Sequence, residues 1–382
     1  MIKFQQTRQN RDMDYIEEAT LHGYCGTRGP HIDRCIQRIK EHIGVGEVLL
    51  TTSATMALDI AAQALPEHCK GGEVIIPSWT FPTTVTPFLR AGLQPVFCDV
   101  DYRTLNMTYE TVEAVLSSKT VAVVVVHYAG MAADTAEIKR LCDERSIWVI
   151  EDAAPAYLTP GCGQIGDMAV FSFNDTKNIG CGEGGAFIIN SLSPNPKLAA
   201  SMMTTIDALF HKGTNYTAAK NGLVELYTWV ENGLAPQMTN LTAALLLDEL
   251  NAAKHIIEKR LIVWKKYQEL LVNLPNGIIQ MPQAGNGHFY WLMFPSPMTR
   301  KIFMELMTHT EIETSRHYMA LHESPMGKTF GRVGTDCTVS LMAEKCIVRL
   351  PIHTMMTPGQ VAHVSDHAVK CARVALSAAT LS

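Results

Sequence analysis

No stretch of this sequence is apolar for long enough to cross a membrane: the longest unbroken run is Val121–Val126, against the ~20 residues a helical span needs. The opening residues, Met1-Ile-Lys-Phe-Gln-Gln-Thr-Arg8, lack the apolar core of a signal peptide. Positive charge is not in excess, and a formal net charge of -5 argues against nucleic acid as the main partner. The ten cysteines include no C-x-x-C pair and no zinc-ribbon spacing. They read as reduced, mostly buried thiols, so the expected location is cytoplasmic. Solenoid-type repeats and low-complexity segments are missing too. What remains is a globular composition, 47% hydrophobic and 18% charged over 382 residues, enough for a large domain and a smaller one.

Strand and helix patterns alternate through the first half. Strands are predicted over Glu47–Thr52, Glu73–Pro77, Leu93–Val100, Val121–His127, Ile147–Glu151, Met168–Asn174 and Gly185–Asn190. Helices are predicted over His31–Ile43, Ala54–Leu65, Phe81–Ala91, Tyr109–Leu116 and up to Arg145 behind an Asp134 cap. Residues 1–30 read as an irregular arm. The pattern is that of an open, mostly parallel seven-stranded α/β sheet with helices on both faces. Ligands in such sheets sit beyond the carboxyl ends of the strands, where Ser53, Trp79, His127 and Asp152 fall. After a helix over Pro196–His211 and a loop-rich excursion over Lys212–Gly233, Thr239–Leu274 is helical almost throughout. Strands at His288–Phe294, Ile312–Arg316 and Cys346–Leu350, with helices at Thr299–Thr308 and Pro358–Ser377, describe a smaller α+β domain. The expected division is a large domain over 1–240, bridging helices over 241–275 and a small domain over 276–382.

The centre of this layout is the bend Asp175-Thr-Lys-Asn-Ile-Gly-Cys-Gly-Glu-Gly184 between two apolar strands. It holds one lysine, Lys177. An amine beside buried β structure loses hydration and its pKa falls, which makes it a nucleophile towards aldehydes. A surface turn lysine is the plain alternative. Ser53-Ala54-Thr55 opens a helix after a strand, where free N–H groups and the helix dipole favour an anion; a simple helix cap explains the same residues. Trp79 is placed to offer a ring face, or to pack in the core. Asp152, in Glu151-Asp-Ala-Ala154, ends a buried strand and needs a cation or several hydrogen bonds; a protonated pyridine nitrogen is such a cation. An anion cradle, a stacking ring, a carboxylate and an amine are together the parts that hold pyridoxal phosphate.

The sequence resembles the DegT/StrS-type nucleotide-sugar aminotransferases, within the aspartate-aminotransferase fold. The likeness covers nearly the whole length. It is carried by Pro77-Ser-Trp-Thr-Phe81, Val126-His-Tyr-Ala-Gly130, Glu151-Asp-Ala-Ala154, Phe171-Ser-Phe173 with Lys177-Asn178, Gly182-Glu-Gly-Gly185, Lys212-Gly-Thr-Asn215 and His317-Tyr-x-x-Leu-His322. The resemblance implies pyridoxal 5'-phosphate as an internal aldimine on Lys177, Asp152 on the pyridine nitrogen and Trp79 stacked on the ring. It implies phosphate contacts from Ala54, Thr55 and Ser172, and Ser53, Ala154 and Asn174 are further candidates at the cofactor. His322, Tyr318 and Glu183 are the candidate substrate contacts. It further implies amino transfer from glutamate to a nucleotide-linked, dTDP-type 4-keto-6-deoxyhexose in a homodimer with shared active sites.

Members with histidine in place of the lysine are dehydratases, so Lys177 favours amino transfer over that lyase alternative; a non-catalytic regulator on the same fold is the third reading. The sequence departs from the family at Pro155, where His or Gln is common, and at Gly233-Leu-Ala-Pro-Gln237, where a reach into the partner's phosphate site is usual, so Ala235 stands in an altered segment. Gly161-Cys-Gly-Gln-Ile-Gly166 and Gly180-Cys-Gly-Glu-Gly-Gly185 match G-x-G-x-x-G, but both lead into strands rather than opening a helix, which excludes a dinucleotide site. His317 and His322 lack a carboxylate or cysteine at ligand spacing, so no metal is expected.

Overall fold

The computed structural model describes residues 1–6, 12–44 and 46–380. The seven predicted strands are present as β1 (Glu47–Thr51), β2 (Glu73–Pro77), β3 (Gln94–Cys98), β4 (Thr120–Val126), β5 (Trp148–Asp152), β6 (Met168–Ser172) and β7 (Gly185–Ile189). Four short strands follow: β8 (Ile279–Gln280), β9 (Trp291–Met293), β10 (Arg332–Val333) and β11 (Ile347–Arg349). The large sheet has eight strands in the order β1-β7-β6-β5-β4-β2-β3-β10. The run from β6 to β10 is parallel, and β7 pairs antiparallel with both β6 and β1. The eighth strand is a two-residue edge addition that the sequence pattern was too short to reveal. β8, β9 and β11 form a separate antiparallel sheet.

The valine run of β4 shows why this sheet is covered on both sides. Ala122 and Val124 enter the cluster under the Ala54–Ala64 helix, while Val123 and Val125 enter the one under the Thr135–Asp143 helix. Alternate side chains of a strand point to opposite faces. Each buried valine contributes about 1.5–3 kcal/mol. The predicted helical stretch after Thr239 is one helix of 31 residues, Asn240–Leu270. Its first residue also caps another helix: Asn240 Oδ1 accepts from the N–H of His31 (2.9 Å) and Ile32 (3.3 Å) at the start of Pro30–Ile43.

Some expectations fail. The arm over 1–30 contains a helix, Asp14–Leu21; residues 7–11 lie outside the described residues. Phe81–Ala91 is split into a 3-10 turn, Pro82–Thr84, and a short helix, Thr86–Arg90, because Pro82 and Pro87 each supply no N–H to a continuous ladder. Asp134 precedes its helix without a side-chain cap bond. The strand over Ile312–Arg316 is reduced to isolated bridges, Ile2 with Ile312 and Ser315 with Arg349.

Candidate active site

A cleft of about 460 Å³ lies at the carboxyl ends of the parallel strands and is closed on one side by residues from the small-sheet region. Lys177 and Asp152 both line it. Asp152 is the last residue of β5 and is 6% exposed. Its Oδ1 accepts from the Ala154 N–H (3.2 Å) and its Oδ2 from the Thr84 hydroxyl (2.7 Å). Thr84 spends its proton on that bond, so the 2.9 Å contact with Thr80 must be donated by Thr80. Two fixed donors thus orient the carboxylate at the cleft floor.

The loop after β6 positions the lysine. Asn174 Oδ1 accepts from the Thr176 N–H (2.9 Å) and hydroxyl (2.7 Å), and its carbonyl accepts from the Lys177 N–H (2.8 Å). Asn174 Nδ2 donates to Glu183 (2.7 Å), tying both ends of the bend together. Asn178, the next residue, donates to the Asn286 carbonyl (3.0 Å), so its Oδ1 must face His288 and accept from Nδ1–H (3.0 Å). That assignment leaves Nε2 of His288 as an acceptor. Burial lowers the pKa of the Lys177 amine below its ordinary 10.5, with the Asp152 carboxylate opposing and the Arg349 charge assisting. Burial, reinforced by Lys177, also pushes His288 well below its usual range, so its imidazole is neutral.

Across the cleft, Ser53 caps the Ala54–Ala64 helix: its Oγ accepts from the Met56 N–H at 3.2 Å. The Ala54 and Thr55 N–H groups have no protein acceptor among the described residues, and both residues line the cleft. Gly185 allows β7 to come this close, since a Cβ there would lie 2.4 Å from the Ser53 carbonyl carbon and 2.5 Å from the Ala54 nitrogen. With the Ser172 hydroxyl, which also lines the cleft, these groups make an anion cradle of suitable chemistry for a phosphate. The residues therefore fit pyridoxal phosphate: an anion cradle, a nucleophilic amine and an oriented carboxylate border one cavity.

Most of the predicted residues are brought together here. Ser53, Ala54, Thr55, Asp152, Ala154, Ser172, Asn174, Lys177, Glu183 and Tyr318 line the cleft. Trp79 and His322 do not. Trp79, two residues past the end of β2, is fully buried, edge-to-face with Tyr128 and Tyr318. Phe81, two residues on, is 53% exposed and lines the cleft, so it and not Trp79 offers a ring to a ligand. His322 is 5% exposed, with Nδ1 2.5 Å from the Ser78 hydroxyl, and serves packing. Phe81→Ala is expected to weaken pyridoxal-phosphate binding roughly tenfold in a cofactor titration. Trp79→Ala is expected to cost about 3–5 kcal/mol in denaturant unfolding.

Sequence reasoning passed over Thr84, His288, Phe289 and Arg349, all at the cleft. The only signal for Arg349 was an arginine inside an apolar strand. It is 8% exposed, its Nη2 donates to Ser315 Oγ (3.0 Å) and the Arg316 carbonyl (2.9 Å), and no carboxylate pairs with it among the described residues. The first of the rejected glycine motifs also finds its use. The Gly163, Ile165 and Gly166 N–H groups (2.6–2.8 Å) all donate to the buried Glu151 carboxylate, so the first glycine motif binds an internal anion. Among the described residues, no group of three His, Cys, Asp or Glu side chains could hold a metal ion, and no helix is long and apolar enough to cross a membrane.

A lysine whose amine is made less basic by burial and a buried carboxylate lie on one cleft with a helix N-terminus, beyond the strands of such a sheet, an arrangement whose chemistry fits pyridoxal phosphate. The model of the DegT/DnrJ/EryC1/StrS aminotransferase family matches residues 6–369. The chain belongs to that family, whose aminotransferases depend on pyridoxal phosphate. It is 29% identical over 369 residues to dTDP-4-dehydro-2,3,6-trideoxy-D-glucose 4-aminotransferase of Saccharopolyspora spinosa, covering 93% of this chain and 92% of that one. It is 28% identical over 335 residues to GDP-perosamine synthase of Vibrio cholerae, covering 85% and 86%. Among solved structures, DesI in the presence of its TDP-sugar product superposes with a TM-score of 0.83 at 25% identity, over 100% of this chain and 97% of that one.

Proposed function

We propose that this protein transfers the amino group of glutamate to a nucleotide-linked 4-keto-6-deoxyhexose, giving a product of the dTDP-4-amino-4,6-dideoxygalactose type. The observation that carries this reading is the pairing of Lys177 and Asp152 on one cleft with the unpaired helix N–H groups at its edge. The relatives named for dTDP- and GDP-linked amino sugars support the substrate class.

Pyridoxal phosphate, when bound, supplies an aldehyde that condenses with amines and a ring that takes up electron density. In this reading the Ala54 and Thr55 N–H groups and the Ser172 hydroxyl hold the phosphate. Asp152, oriented by Thr84 and Ala154, holds the proton on the ring nitrogen. The Lys177 amine, whose pKa burial lowers, would take the proton from the donor carbon that carries nitrogen and hold it on Nζ. Arg349 has donors to spare and receives the donor's carboxylate. Glu183 and Tyr318 remain the candidate sugar contacts.

The excursion after Lys212 exposes Leu223 (76%), Leu226 (74%) and Trp229 (80%). Such a concentrated apolar surface supports a second copy of the chain as partner. The direct test is turnover: glutamate and a dTDP-4-keto-6-deoxyhexose should give 2-oxoglutarate and the amino sugar. Dehydration of the sugar without glutamate consumption contradicts the proposal. For the donor subsite, Arg349→Leu should raise KM for glutamate about tenfold to a hundredfold, because it removes a charge-assisted hydrogen bond. Steady-state kinetics with the keto-sugar held saturating reads that change.

A further inference from the structure

The first residues of the sequence are built into the wall of the cleft. Ile2 pairs with the segment leading to His317: its N–H donates to the Glu311 carbonyl (2.8 Å), and its carbonyl accepts from the Glu313 N–H (3.0 Å). The Phe4 N–H donates to Glu313 Oε2 (2.9 Å). At the other end, Gln5 Nε2 donates to the Asp175 carbonyl (3.2 Å), two residues before Lys177. Residues 2–5 therefore strap the small-sheet region to the lysine loop, and Phe4 and Gln5 both line the cleft.

The Phe4 ring also meets a cation of the site that has no carboxylate partner among the described residues. Arg349 Cζ lies 4.8 Å from the Phe4 centroid and 4.6 Å from that of Phe289. Its Nη2 is committed to Ser315 and the Arg316 carbonyl, and its Nε is buried without a partner. A buried guanidinium without a counter-ion needs other stabilisation. Aromatic faces provide it without using the N–H groups a carboxylate ligand requires.

We propose that Phe4 is a positioning residue for the amino donor: its ring fixes the Arg349 guanidinium for an incoming carboxylate, and residues 2–5 are a standing wall of the donor subsite. This rests on the reading that Arg349 receives that carboxylate. Two variants separate ring electrostatics from bulk, since Phe4→Leu keeps apolar volume and Phe4→Tyr keeps the ring. Phe4→Leu should raise KM for glutamate, and the calorimetric Kd for the unreactive dicarboxylate glutarate, by roughly tenfold. Phe4→Tyr should stay within about twofold of the parent on both, the spread of an ordinary conservative change. KM for the keto-sugar and the thermal midpoint should not move in either variant. Parent-like glutarate binding by Phe4→Leu, or equal weakening of both substrates, overturns the role given to Phe4. If Arg349→Leu also binds glutarate as the parent does, the assignment of the carboxylate to Arg349 fails instead.

Discussion

Lys177→Ala should lower the rate of amino transfer from glutamate by at least about 10³-fold, since a positioned proton-transfer group contributes some 10²–10⁴ and the same amine also anchors the cofactor. Single-turnover absorbance of the cofactor-loaded protein mixed with glutamate measures it. The effect should fall on the proton-transfer rate, with glutamate binding changed far less, because Arg349 and not Lys177 is assigned the donor's carboxylate. The pH dependence has a definite sign. Burial lowers the amine's pKa from 10.5, so the neutral, proton-accepting form is populated at lower pH than for an ordinary lysine. The rate in the parent should rise with pH through that lowered value and level off before pH 10.5. A rate that keeps rising to an ordinary lysine pKa contradicts the burial argument. Lys177→Ala activity within tenfold of the parent contradicts the assignment of the base.

The second large effect is expected away from the chemistry. Glu151 is fully buried at the end of β5 and accepts four hydrogen bonds, from His127 Nε2 (2.7 Å) and the Gly163, Ile165 and Gly166 N–H groups. The Ala133 N–H donates to His127 Nδ1 at 3.1 Å, so that nitrogen carries no proton and Nε2–H is the donor to Glu151. These four donors balance the negative charge of Glu151. Burial pushes its pKa up, but the contact with His127 and the glycine N–H donors outweigh it and hold the carboxyl below its usual value. Glu151→Ala strands those donors in the core and should cost about 3–5 kcal/mol, a large share of the ~5–15 kcal/mol of a typical fold. Urea unfolding measures the loss. A carboxyl with a depressed folded pKa stabilises fully above its unfolded pKa of about 4.5. That contribution is lost as pH falls through the folded value, so the parent should lose stability in acid more steeply than the variant. A loss below about 1 kcal/mol contradicts the role given to Glu151.

The sheet was legible in the sequence because its strands are continuous apolar runs with short connections, a pattern that packing on both faces imposes. Asp152 was legible as a charged residue at the end of a buried strand, and Lys177 as the lone lysine in a bend between two buried strands, where hydrophobicity makes the exception visible. Local sequence does not show which way a residue just past a strand end will turn. Trp79 and Phe81 illustrate this, since both are aromatic and only the second turns out into the cleft. Thr84 is the opposite case, an unremarkable threonine that acquires its role when the Pro82–Thr84 turn brings it to 2.7 Å from Asp152. Phe4 and Arg349 are 345 residues apart, and no periodicity links them; the bridges of Ile2 with Ile312 and of Ser315 with Arg349 bring them together. The two-residue strands and the isolated bridges around Ile312–Arg316 are too short for a period-two pattern to register.

The central claim is that Lys177 is the residue to which the cofactor attaches, and the most direct measurement is reductive trapping followed by peptide mapping. The parent protein, loaded with pyridoxal phosphate and reduced with borohydride, should carry one pyridoxyl group per chain, on the peptide containing Lys177. A label on any other lysine, or a cofactor that washes away after reduction, would contradict it.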